Sequence, residues 1–169
     1  MKTLYVVRHA KSSWGDLTQP DFDRPLNDRG QRNAPEMAQR LLSRGITIDA
    51  FVTSTAKRAM QTSLHFISVF GRKPEELILR EDLYHAPPQV YFSVVAQQDD
   101  RYNSVAIFGH NPGITAFVNE LTETSIDQMP TCAVFAVQAD IKHWKDFPDA
   151  TKKFLFFDSP KLGWFFSFL

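Results

Sequence analysis

The chain has 169 residues, 43% of them hydrophobic and 22% charged, which suits one core of ordinary size. Its 19 Lys and Arg balance 19 Asp and Glu, so no overall field draws it to nucleic acid or to an anionic membrane. Anion chemistry here has to come from a local cluster of cations. Cys132 is the only cysteine, which excludes an intramolecular disulfide and a multi-cysteine zinc site and marks it as an inert core residue. In chain order, apolar runs of strand length fall at 3–7 ("TLYVV"), 50–54, 77–80, 104–109, 132–137 and 153–157. Several are hydrophobic throughout, as strands covered on both faces are.

Helical periods lie between them. Ala34, Met37, Ala38, Leu41 and Leu42 form a stripe that Gly45 ends, in a segment from Asn27 that is expected either to kink at Pro35 or to begin its regular helix near it. A second stripe runs from Ala56 to Ile67, and a third, Ile114 to Leu121, is expected to start with Asn111 as N-cap and Pro112 at the first helical position. Pro87-Pro88 opens a fourth. Strands alternating with helices predict an α/β fold, a three-layer αβα sandwich with a mainly parallel sheet of about six strands, in a single domain over 1–169. With neither a signal peptide nor a membrane span in view, a cytoplasmic location is expected. The tail "LGWFFSFL" (162–169) is expected to pack on the domain.

Three of these units end alike. The first strand stops at Arg8-His9, the second is followed by Arg58 in the first turn of its helix, and the strand at 104–109 runs into His110. Ligands of open α/β sheets bind at the carboxyl ends of the strands. Helix N-termini there add unpaired N–H groups. Two guanidiniums and two imidazoles converging in one crevice would suit a phosphoryl group.

The motifs around these residues carry a resemblance. "VVRHAKS" resembles the Arg-His-Gly signature of the histidine phosphatase superfamily, with Ala10 in place of glycine. "RPLNDRGQRNA" (24–34), "TSTAKRAMQT" (53–62) and "GHNPGI" (109–114) resemble, in order, its Leu-x-x-x-Gly-x-x-x-Ala, Ser-x-x-x-Arg-Ala-x-x-Thr and second-histidine segments. The short chain and the "GHNPG" form look most like SixA-type protein-phosphohistidine phosphatases. The resemblance implies a phosphoglycerate mutase-like fold, no cofactor and no metal. It makes His9 the phosphorylated nucleophile, with Arg8, Arg58 and His110 holding the phosphoryl oxygens. Ala10 fits only if its φ is negative. A neutral His9 beside a protonated His110 would give a bell-shaped pH profile.

Many relatives carry a Glu general acid where this chain reads "EDLYHAPP", with Tyr84 at the aligned position and Glu81, Asp82 and His85 nearby. A site without a strong acid favours a P–N bond, because imidazole leaves far more readily than an alkoxide. The first reading is therefore hydrolysis of protein phosphohistidine, the partner being a phosphorylated protein such as a histidine phosphotransfer domain. The alternatives are a phosphomonoesterase acting on a small phosphorylated metabolite, and a non-catalytic phosphate-binding module. A metal site from His9, His85 and His110 lacks supporting ligand spacing. Ser12, Arg24, His85 and Asn111 are candidate substrate-binding residues. The connection 11–26 is expected to border the site, with Trp14 and Phe22 in it.

Overall fold

A computed structural model describes residues 1–162. Strands β1 (Lys2–Arg8), β2 (Ala50–Thr53), β3 (Ile78–Leu79), β4 (Ser104–Gly109), β5 (Val134–Ala139) and β6 (Lys152–Asp158) form one sheet in the order β3-β2-β4-β1-β5-β6. The first four of that order run parallel, while β5 and β6 are antiparallel additions beyond β1. The helices are α1 (Asp28–Ser43), α2 (Lys57–Val69), α3 (Pro88–Ala96) and α4 (Gly113–Asn119).

The side-chain alternation of strands produces the three layers. Tyr5, Val7, Phe51 and Phe108 point to the face packed by Met37 and Leu41 of α1 and by Phe66 and Ile67 of α2. Leu4, Val6, Val52 and Ile107 point to the other, against Tyr91 and Val94 of α3 and Phe117 and Val118 of α4. With β1 in the interior of the sheet, between β4 and β5, its last residues open at the centre of the carboxyl edge.

Several local expectations hold and one fails. Helix α1 begins at once after Asn27, whose side chain accepts the Gly30 N–H at 2.9 Å, and it runs through Pro35, which overturns the alternative of a start near that proline. Gly30 has a spatial reason: a Cβ there would run into the Lys11 carbonyl, so α1 lies directly against the segment leaving β1. Only His85 (φ 53°) and Cys132 (φ 61°) have positive φ among non-glycine residues described, so Ala10 is compatible with its backbone. Asn111, however, is not the cap of α4, which starts two residues later with Pro112 in the cap position. Its side chain is drawn elsewhere, accepting from the Thr115 hydroxyl at 2.6 Å and donating to the Met129 carbonyl at 3.1 Å. The tail expectation covers residues that lie, apart from Leu162, outside those described. No helix among the described residues is long and apolar enough to cross a membrane.

Candidate active site

The corner after β1 is fixed by main-chain bonds from three directions. The His9 N–H donates to the Gly109 carbonyl at the end of β4 (3.1 Å), and the Cys132 N–H donates to both the Arg8 and His9 carbonyls (3.1 and 3.0 Å). The third comes from α2: the Ala10 N–H donates to Thr62 Oγ1 (2.9 Å), and the same hydroxyl donates to the Arg58 carbonyl (2.8 Å). Thr62 thus couples the histidine corner to the helix turn that carries Arg58.

His9 is buried, and its Nδ1–H donates to the Ala10 carbonyl at 2.7 Å, which leaves Nε2 as the unprotonated nitrogen. Arg58 Nε donates to that Nε2 at 3.4 Å. Burial pushes the His9 pKa down to about 3; the bond to Ala10 opposes this, and the charges of Arg58, Arg8 and Arg24 reinforce it. His110, whose ring centre lies 5.1 Å from that of His9, is also buried. Its Nε2 lies 2.8 Å from Ser54 Oγ. Among the described residues Nε2 is the one acceptor within reach of the Ser54 hydrogen, the Ser54 oxygen also accepting the Ala56 N–H at 3.2 Å; with that hydrogen on Nε2 the His110 proton sits on Nδ1. Burial first, then the charges of His9 and Arg58, lower the His110 pKa to about 2. Against the expectation of a protonated His110, this cationic, desolvated surrounding favours the neutral form of both rings.

Two buried donors here have no hydrogen-bond partner among the described residues, Arg8 Nε and His110 Nδ1. Arg8 Nη1 is held by the Met129 carbonyl at 2.8 Å. Both orphaned atoms belong to residues that line one cavity of about 230 Å³, together with His9, Arg58, Ser12, Arg24, His85 and Asn111. All eight residues that the sequence offered for holding the phosphoryl group or the substrate thus line it. Two of them differ from expectation in what they can offer: the Asn111 amide is committed to Thr115 and Met129, and the Ser12 hydroxyl accepts from Arg24 at 2.8 Å.

Asp21 was not anticipated. It is the sole carboxylate lining this cavity among the described residues, and it ties the connection 11–26 to the site. Its Oδ2 accepts from Arg58 Nη2 (3.0 Å) and from the Tyr84 hydroxyl; its Oδ1 accepts from Arg24 Nε (3.0 Å). Burial acts to raise its pKa, but the bonds from Tyr84, Arg58 and Arg24 outweigh it and hold the carboxyl far below the usual range. "QPDFDRPL" contains two acids, and nothing in their spacing says which faces inward. Tyr84 also reaches the site, its ring 5.5 Å from that of His110. Glu81 and Asp82 do not line the cavity; Asp82 pairs with Arg80 at 2.7 Å. His85 does, with Nε2 3.5 Å from Asp21. Among the described residues, no three or more His, Cys, Asp or Glu are grouped so as to hold a metal ion.

The sequence profile of the histidine phosphatase superfamily (branch 1) matches residues 4–84. An uncharacterized protein of Mycobacterium tuberculosis is 31% identical over 151 residues, which span 83% of this chain and 90% of that one. The SixA structure from Agrobacterium tumefaciens superposes with a TM-score of 0.79 at 26% identity, covering 94% of this chain and 98% of that one. The chain belongs to the histidine phosphatase superfamily. Its fold is of the SixA type, shared also with the protein histidine phosphatase SixA complexed with tungstate (TM-score 0.79, 20% identity, 94% and 97% covered). Membership of the histidine phosphatases supports phosphatase activity.

Proposed function

We propose that this histidine phosphatase hydrolyses phosphohistidine carried on a protein, through a phosphoryl group held transiently on His9. The lone pair of His9 Nε2 attacks phosphorus in line. The Nε2–P bond forms as the substrate P–N bond breaks, and the electron pair stays on the departing imidazole. Arg8, Arg58 and the Nδ1–H of His110 hold the equatorial oxygens, where charge develops. Water then attacks the phosphorylated His9, releasing inorganic phosphate and restoring the ring. The neutral state of both histidines suits this scheme: one must attack, and the other donates without a charge.

The observation that carries the substrate choice is Asp21. It is the cavity's carboxylate, and Tyr84, Arg58 and Arg24 hold it ionised, so it has no proton to give an alkoxide. An imidazole protonated on its other nitrogen leaves as a neutral ring and needs none. The rim favours a macromolecular substrate: Trp14 and Leu17 are 64% and 88% exposed on the connection 11–26. Initial rates on two peptides of one sequence, phosphohistidine against phosphoserine, test the reading. A preference of about 100-fold or more for phosphohistidine is expected, a general acid being worth about 10²–10⁴. Equal rates would overturn it.

One observation favours the ester reading instead. His85 sits at the cavity with Nε2 near Asp21, a pairing that could pass a proton to an alkoxide. Under that reading, His85→Ala lowers kcat on alkyl phosphates and leaves phosphohistidine turnover alone.

A further inference from the structure

Beside the cavity at His9 lies a larger one, about 430 Å³, and the two share Arg8, Lys11 and Thr131 as a common wall. Arg29 and Lys161 add two more cations to the larger cavity, and no carboxylate lines it among the described residues. Lys11, Arg29 and Lys161 make no side-chain hydrogen bond or ion pair within the described part of the chain. In a chain with equal numbers of acids and bases, four cations gathered without a counter-charge are a local concentration of positive potential.

The walls are built rather than loose. Main-chain Met129, next to the lining residues, is gripped on both sides: its N–H donates to Thr115 Oγ1 (2.9 Å), and its carbonyl accepts from Arg8 and Asn111 (2.8 and 3.1 Å). On the far side Arg40 donates to the Ser159 and Pro160 carbonyls (2.9 and 3.0 Å). The nearby Asp158 is turned inward onto Arg40 and Arg44, 3.3 and 3.1 Å away, and does not line the cavity. Arg29 occupies the first turn of α1, where the helix dipole is positive and a cation is unfavourable. Lys11 stands opposite, at the backbone against which Gly30 packs. Stability does not explain this arrangement; recognition of an anion does.

We propose that this groove is a second anion subsite, taking a negatively charged group on the same substrate whose phosphoryl group enters beside His9. The shared Arg8 wall sets the two charges next to each other. The proposal rests on the phosphatase reading of the neighbouring cavity but not on which phosphoryl bond is broken. The chemistry required is a carboxylate or a second phosphoryl group close to the first, supplied by acidic residues flanking a phosphohistidine or by a small bis-anion.

Two measurements separate these sources, each on wild type and on the Arg29→Ala/Lys161→Ala double variant. The first is calorimetric affinity for propane-1,3-diphosphonate against propylphosphonate, neither of which can be hydrolysed. The second is kcat/KM for phosphohistidine peptides flanked by Glu against the same peptides flanked by Gln. A gain of about tenfold with the second charge, lost in the double variant and weakened by salt, is expected in at least one of the two. A gain only with diphosphonate assigns the groove to small bis-anions; a gain only with the Glu peptide assigns it to acidic protein segments. No gain in either, or a gain that survives in the double variant, overturns the proposal. If neither peptide is hydrolysed while the diphosphonate gain appears and is lost in the variant, the groove stands and the phosphohistidine reading falls. The melting temperature of Arg29→Ala is expected to equal or exceed that of wild type, which separates lost recognition from lost folding.

Discussion

Around His9 the main chain is bonded to β4, to the turn before β5 and to α2, whereas the connection 13–24 that rims the same cavity is held mostly by its own side chains. On one side, Gly109, Cys132 and Thr62 fix a buried corner. On the other, Arg24 gathers the loop by reaching Ser12, the Ser13 carbonyl and Asp21 and stacking 3.6 Å from the Trp14 ring. Reaction chemistry needs atoms placed to a fraction of an ångström, and strand ends supply that. Choice among substrates needs only a surface that can vary, and a side-chain-held loop supplies that.

The comparison can be broken by substitutions on either side. His9→Ala removes the attacking nitrogen, and turnover of every phosphorylated substrate is expected to fall by about 10³-fold or more. A retained rate would move the chemistry away from the corner. Acid tests the corner without substitution. Both rings have folded pKa values of about 3 and 2, below the ordinary histidine value, so between there and about 6.5 the unfolded chain binds more protons. Stability due to the neutral rings is complete above about pH 6.5 and is lost as pH falls, by up to about 1.4 kcal/mol per pH unit for each ring. Denaturant melts from pH 7 to 4 check this, and His110→Asn should flatten the dependence.

Thr62→Val keeps the shape but strands the buried Ala10 N–H, at a cost of about 1–3 kcal/mol. Activity should fall through kcat rather than KM, since the corner shifts while the cations remain. On the loop side, Trp14→Ala is expected to raise KM for a protein substrate about three- to tenfold, in the range of one exposed aromatic contact, and to leave p-nitrophenyl phosphate untouched. An equal change on both substrates would show that the loop positions the chemistry after all.

The corner was legible in the sequence because its signals are local. A strand that stops at Arg8-His9 and one that stops at His110 state their positions in a few letters, and sheet topology brings the strand ends together. Asp21 was not legible. Its role depends on contacts with Tyr84, 63 residues away, and with Arg58, 37 residues away, and either acid of the "DFD" turn satisfies the same pattern. Asn111 failed for a related reason. Its cap pattern is correct as a local rule, but Thr115 and Met129 compete for the side chain and win. The groove at Arg29 was equally hidden, being assembled from four stretches of chain that carry no shared motif.

The place of β1 in the sheet has a consequence for the order of assembly. Its two neighbours, β4 and β5, begin at residues 104 and 134, so the first of the six strands to be made is enclosed only after four others have followed it. Such distant pairings fold slowly and late. Until Cys132 has been made, the N–H that grips the Arg8 and His9 carbonyls does not exist, and a nascent chain carries His9 without the corner that holds it. The geometry at His9 is thereby tied to the synthesis of the turn before β5: a fragment ending short of Cys132 carries His9 without the bonds that this turn gives its corner.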